Sequence, residues 1–178
     1  MRLFFALEPS RQDKLAIEHW RIKALPGFDR PVPAANFHIT LAFLGQTTSS
    51  QLDAIMQEVD SVSLPPAFAV HLTDVGYWPK PKALWLGCEQ IAASHSVLAS
   101  ALNKAGLSAG LGLQKRDYLA HLTLVRKCQE NPLAPVIKPS FIMDFGEFHL
   151  FESVSTIKGV KYQRLTSWQL SPAMHFRR

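Results

Sequence analysis

The sequence predicts an α+β fold of two pseudo-symmetric lobes, with mainly antiparallel sheets lining a central cleft and helices outside. Three observations predict it. A strand–helix–loop–strand unit is written twice. Each copy closes on the same tetrapeptide, His-x-Thr-Leu. Further strand-like runs follow the helices instead of alternating strictly with them. The tetrapeptide is His38–Leu41 in the first copy and His121–Leu124 in the second.

In the first copy, the apolar run "RLFFALEP" reads as a strand. The segment "SRQDKLAIEHWRIKAL" reads as a helix that places Ile17, Trp20 and Ala24 on one face, with Ser10 and Asp13 at capping-box spacing. A Pro-rich loop leads to the strand "FHITLAFLG". In the second copy, "ALWLGCEQ" is the strand and "IAASHSVLASALNKAGL" the helix. Leu98, Ala101, Leu102 and Ala105 share its face, and Gly106 is its expected stop. A Gly-rich, basic loop then leads to "AHLTLVRKC". From Leu3 to His38 is 35 positions and from Ala83 to His121 is 38, so the two units have nearly equal length.

Another helix is expected at "SSQLDAIMQEV", capped by Ser50 with Asp53. Single strands are expected at "FAVHLTDVGYW", "DFGEFHLFES" and "VKYQRLTSWQL", from their alternation and aromatic content. No Gly/Ser linker divides the chain, and residues 1–178 read as a single bilobal domain.

Composition narrows the class. Apolar residues make up 47% of the 178 and charged residues 19%, which is ordinary for a globular protein. Cys88 and Cys128 form no ligand spacing and read as reduced thiols. The N-terminal apolar run is too short for a signal peptide, and no stretch approaches a bilayer span. A cytoplasmic, monomeric protein is expected. The net charge of +5 favours a phosphate-bearing partner.

The chemistry lies in the repeated tetrapeptide. On a strand, side chains at i and i+2 share a face. His38 and Thr40 therefore point one way while Ile39 and Leu41 point the other; His121 and Thr123 do the same against Leu122 and Leu124. The apolar letters mark the buried face, so the His/Thr faces look into the cleft. Two imidazoles facing a shared space suit acid–base chemistry at phosphorus, one removing a proton as the other donates. The Thr hydroxyls suit phosphoryl oxygens, and Arg126, five residues past His121, supplies a balancing cation.

Composition alone makes two chance copies an event of order 10⁻³. A third version, His71-Leu72-Thr73-Asp74, has no partner at matching spacing and is broken by Asp74; His71 is assigned a structural or surface role. His19, His95, His149 and His175 are isolated and read as surface or helix residues. Neither motif histidine has a companion at metal-ligand spacing, so no metal and no cofactor is expected.

With these motifs in hand, the chain resembles the two-histidine phosphoesterases, and among them the bacterial RNA 2′,3′-cyclic phosphodiesterases, also called the 2′-5′ RNA ligase family. The likeness runs through "RLFFAL", "RPVPAANFHITLAFLG", "LWLG", "HLTLVR" and "FHLFES" with "KYQRLTSWQL". It implies metal-independent opening of RNA 2′,3′-cyclic phosphate ends to 2′-phosphomonoesters. It implies catalysis by His38 and His121 and substrate binding by Thr40, Thr123 and Arg126. His121 would act as base and His38 as acid to the 3′ oxygen. Running the step backwards with a 5′-hydroxyl would give a 2′-5′ linkage. Relatives often carry Pro where this chain has Ala120, a change that loosens the preceding loop without removing a chemical group.

Two other readings remain open from the residues themselves. One is a non-catalytic RNA-end-binding module; the other is a cyclic phosphodiesterase for a small nucleotide-derived substrate. Base-stacking candidates are one of Phe4 and Phe5, with Tyr118 and Trp78; core packing is expected of Phe4, Trp85 and Trp168. Lys80, Lys82, Lys115 and Arg116 are candidates to follow a phosphate backbone.

Overall fold

A computed structural model describes residues 1–113, 117–157 and 159–172. In chain order these form β1 (Arg2–Leu7), α1 (Arg11–Ala24), β2 (Ile39–Gln46), α2 (Ser49–Ser61), β3 (Phe68–Leu72), β4 (Asp74–Trp78), β5 (Ala83–Gly87), α3 (Ala93–Ser108), β6 (His121–Arg126), β7 (Phe141–Phe145), β8 (Glu147–Thr156) and β9 (Gly159–Gln169). Seven strands make one sheet in the order β4-β5-β6-β2-β1-β8-β9, and β3 pairs with β7 in a second sheet. Among the described residues every pairing between these strands is antiparallel. The α+β expectation holds.

The large sheet has a seam at its middle. β1 matches β2 along most of its length, and β5 matches β6 likewise. Between β2 and β6 there is one registered pair, Ile39 opposite Leu122. The two strand–helix–strand copies, β1-α1-β2 and β5-α3-β6, meet there. Alternation sorts the faces: Leu3, Phe5 and Leu7 enter the main core, while Phe4 and Ala6 turn to the other face and pack with Phe151 and Tyr162.

The helices follow their end signals with two adjustments. Asp13 N–H donates to the Ser10 hydroxyl at 3.1 Å, and Ile17, Trp20 and Ala24 are buried as expected. The cap of α2 lies two residues earlier than Ser50. Thr48 and Gln51 form the reciprocal box, because the longer Gln51 side chain reaches back to the Thr48 N–H at 3.0 Å. α3 runs past Gly106 and ends at Ser108, and Gly110 takes the left-handed conformation with φ 80°. Gly106 serves packing instead: a Cβ there would lie 2.7 Å from the Leu113 side chain and 2.8 Å from Leu44.

Two expected strands are each divided between sheets. "FAVHLTDVGYW" breaks at Thr73, whose N–H bonds to the Gly87 carbonyl at 2.9 Å, so β3 and β4 enter different sheets. "DFGEFHLFES" breaks at Gly146 in the same way. The imperfect third tetrapeptide therefore straddles a change of sheet. Its exposed His71 bonds to the Ser140 hydroxyl at 3.1 Å, a structural role. Both cysteines are free thiols.

Candidate active site

His38 leads directly into β2 and His121 opens β6, on either side of the seam. Each motif strand carries a bulge at the same letter. Ala6 and Phe5 pair with Thr40 and Ala42, leaving Leu41 unmatched; Trp85 and Leu84 pair with Thr123 and Val125, leaving Leu124 unmatched. An extra residue resets which side chains share a face. Burial then runs identically in both: Ile39, Leu41 and Ala42 are buried and Phe43 exposed, as Leu122, Leu124 and Val125 are buried and Arg126 exposed. The fourth letter is Leu because the bulged residue is itself a core residue.

The two rings are also held alike. His38 Nδ1 lies 2.7 Å from the Asn36 carbonyl, and His121 Nδ1 lies 2.9 Å from the Leu119 carbonyl, each two residues back. A carbonyl only accepts, so Nδ1 carries the proton in both rings and leaves Nε2 for substrate. Desolvation pushes the His38 pKa down to about 4; the Asn36 bond opposes this, and the charges of Arg126, His121 and Lys14 add to it. His121 is lowered chiefly by burial, opposed by the Leu119 bond and reinforced by Arg126.

Aromatic rings wall each histidine. Phe4 and Tyr162 lie 5.0 and 4.8 Å from His38, centroid to centroid. Trp78 lies 4.6 Å and Trp85 6.3 Å from His121. Phe4, expected as a packing residue, is buried, yet it also lies beside His38. Trp85 is half-buried and belongs to the wall beside His121, not to the core alone. Its indole lies over Gly76 and Gly87, where any Cβ would come within 2.1 and 2.4 Å of the ring. Arg126 donates to the Tyr162 hydroxyl at 3.4 Å, linking the second motif to the aromatic wall of the first.

Open space is unequal. Around His38 there is a crevice of about 30 Å³ lined by Phe4, Asn36 and Tyr162. From His121 and Trp78 a groove of about 880 Å³ runs along β2 from Thr40 to Gly45. Among the described residues no group of three or more His, Cys, Asp or Glu gathers as metal ligands do.

The sequence and the fold match those of known proteins. Residues 7–85 match the family described as LigT like Phosphoesterase. The chain is 31% identical to the RNA 2′,3′-cyclic phosphodiesterase of Escherichia coli K12 over 96% of its own length and 97% of the relative's. The chain belongs to the LigT-like phosphoesterases. The RNA 2′,3′-cyclic phosphodiesterase of Archaeoglobus fulgidus is 29% identical over 93% of this chain and 98% of its own. The crystal structure of E. coli LigT complexed with 3′-AMP superposes with a TM-score of 0.87 at 30% identity, covering 96% of this chain and 98% of that one.

Within this phosphoesterase, buried supports behind the motifs escape sequence reading. His95 is the helix residue that the sequence reading allowed, in α3, but it is fully buried, and its Nε2 lies 2.8 Å from the Tyr118 hydroxyl. Tyr118 donates onward to the Thr40 carbonyl at 3.1 Å, so it ties the loop before His121 to the first motif while it also lines the groove. That leaves His95 Nε2–H as donor to Tyr118 and Nδ1 without a partner. Buried Arg21, from α1, donates to the carbonyls of Leu124 and Val32 at 3.0 and 2.6 Å and so holds the second bulge from behind. His149 is likewise buried, bonded to Ser167. Tyr162 had a signal in the "KYQRL" pattern but no assigned role. Lys80 and Lys82 are exposed, Lys82 bonding Gln129; Lys115, Arg116 and His175 lie outside the described residues.

Proposed function

We propose that this chain hydrolyses the 2′,3′-cyclic phosphate ends of RNA to 2′-phosphomonoesters by paired-histidine general acid–base catalysis. The observation that carries the reading is the matched presentation of two Nε2 atoms, each fixed by an Nδ1–carbonyl bond and followed by a bulged Thr-Leu. The names of the relatives support the substrate class.

Water attacks phosphorus, the P–O3′ bond breaks, and the phosphate stays on O2′. One imidazole takes the water's proton while the other gives a proton to O3′, so the ring pair ends with its protons exchanged and resets through solvent. Thr40 and Thr123 donate to the non-bridging oxygens, and Arg126 offsets their charge. Trp78, beside His121 and lining the groove, is the nearest surface for the terminal base. With an RNA 5′-hydroxyl in place of water, the same bond exchange yields a 2′-5′ phosphodiester. The enzyme acts as a cytoplasmic monomer on RNA.

The test is turnover of an oligonucleotide ending in a 2′,3′-cyclic phosphate, in EDTA, by wild type, His38→Ala, His121→Ala and His71→Ala. Activity lost in the first two variants and kept in His71→Ala is expected. RNA bound but never opened would replace catalysis with an RNA-end-binding role; turnover only after metal is restored would overturn the mechanism.

A further inference from the structure

We infer that Phe43 and Arg2 form a subsite for the penultimate nucleotide of the RNA, its base on the Phe43 ring and its phosphate linkage beside Arg2. The inference rests on the reading of the site as a cyclic-phosphate hydrolase and extends it to a substrate longer than one nucleotide.

The bulge at Leu41 decides where Phe43 points. Without it, Phe43, three residues past Thr40, would face the core. With Leu41 looped out, Thr40 pairs with Ala6 and Phe43 with Phe4, and paired residues share a face. Phe4 and Ala6 are on the cleft side, so Thr40 and Phe43 are too. Phe43 is also the counterpart of Arg126 across the pseudo-dyad, each standing five residues after its motif histidine. One lobe presents a cation at this position, the other an aromatic ring.

Phe43 is not occupied by packing. It is 51% exposed, whereas Phe4 on the same face is 3% exposed. Arg2, two residues before Phe4 and so on the same face of β1, holds its guanidinium 5.3 Å from the Phe43 ring centre. An exposed ring with a cation beside it is what single-strand binders use for a base and its phosphate.

The groove connects this pair to the chemistry. His121, Thr40 and Phe43 all line it, together with Asn103 and Ser100 of α3. Its roughly 880 Å³ approaches the upper end of ligand pockets and exceeds the needs of a single nucleotide. The crevice beside His38 has only about 30 Å³, so added substrate length leaves towards Phe43.

The experiment compares a cyclic-phosphate dinucleotide with the 2′,3′-cyclic mononucleotide, for wild type, Phe43→Ala, Phe43→Trp and Arg2→Gln. Wild type is expected to favour the dinucleotide in kcat/KM by about tenfold, the scale of one stacked base. Phe43→Ala should remove that preference while mononucleotide turnover stays unchanged, Phe43→Trp should restore it, and Arg2→Gln should reduce it. Equal kcat/KM for the two substrates in wild type would overturn the subsite. So would a preference that survives Phe43→Ala, or losses equal on both substrates. Absence of turnover on either substrate by folded wild type is a different result: it removes the hydrolase reading on which the subsite rests.

Discussion

Ile39 stands opposite Leu122, and this is the one registered pair between β2 and β6. Both are the second letter of their tetrapeptide, so the pseudo-dyad passes between them and sets the two histidines on either side of it. The copies need no other contact between their strands: the cleft opens where pairing stops.

The depressed histidines set the pH dependence. In the proposed mechanism turnover needs one ring protonated and the other neutral, so kcat/KM is expected to rise through the lower pKa of the free enzyme and fall through the higher. Burial lowers both, His38 to about 4. The optimum of kcat/KM is therefore expected on the acid side of pH 6.5, with activity declining towards pH 8. A profile measured from pH 4 to 9 with its optimum above 7 would show that the free-enzyme rings are not depressed.

Arg126 lowers the two histidines and, in the proposed mechanism, also binds phosphate. Arg126→Ala should cut kcat by about 10²–10³, the usual loss for a charge-stabilising donor. It should also move the alkaline limb to higher pH, since removing a neighbouring positive charge raises a histidine's pKa. Arg126→Lys should recover the position of that limb more fully than the rate, because a point charge lacks the guanidinium fork. Rate and pH profile of both variants, measured together, check the two roles.

Tyr118 links the loop before His121 to the first motif through its hydroxyl. Tyr118→Phe removes the donor to the Thr40 carbonyl and leaves the buried His95 Nε2–H unpaired. A loss of about 1–3 kcal/mol in unfolding free energy is expected, measurable by urea titration. As a positioning residue it should lower kcat more than it raises KM. An unchanged kcat with the same stability loss would reduce Tyr118 to scaffold.

His95 makes the fold acid-sensitive. Its folded pKa is pushed down to about 4 by burial, below the unfolded value near 6.5. The unfolded chain thus binds the extra proton first: stability is fully present above pH 6.5 and is lost as pH falls from there towards 4. The single ring accounts for about 3 kcal/mol over that window. His95→Phe, which keeps an aromatic stacked on Phe68, should flatten the fall of Tm between pH 7 and 4.5. A fall as steep as wild type's would place the acid sensitivity in other groups, such as His149.

Much of this was readable because the signals were local. Period-2 alternation placed His38, Thr40, His121 and Thr123 on one face, and the apolar letters between them marked the other. The Ser10 cap and the buried face of α1 followed from helical spacing. What failed were boundaries: the break at Thr73 and the one at Gly146 depend on which sheet receives each half, and that is decided by distant partners. Gly106 failed as a stop signal because Leu113 and Leu44 require a residue without a Cβ inside the helix.

The sequence by itself determined the duplicated unit, the opposed His/Thr faces, the candidate catalytic pair and the family likeness. Only the tertiary structure decided that Leu41 and Leu124 are bulged, that Phe43 joins the cleft, and that His95, Tyr118 and Arg21 brace the motif strands. The reason is physical. Face alternation is written residue by residue along a strand, whereas a bulge or a buried hydrogen bond exists only relative to a partner that folding brings alongside.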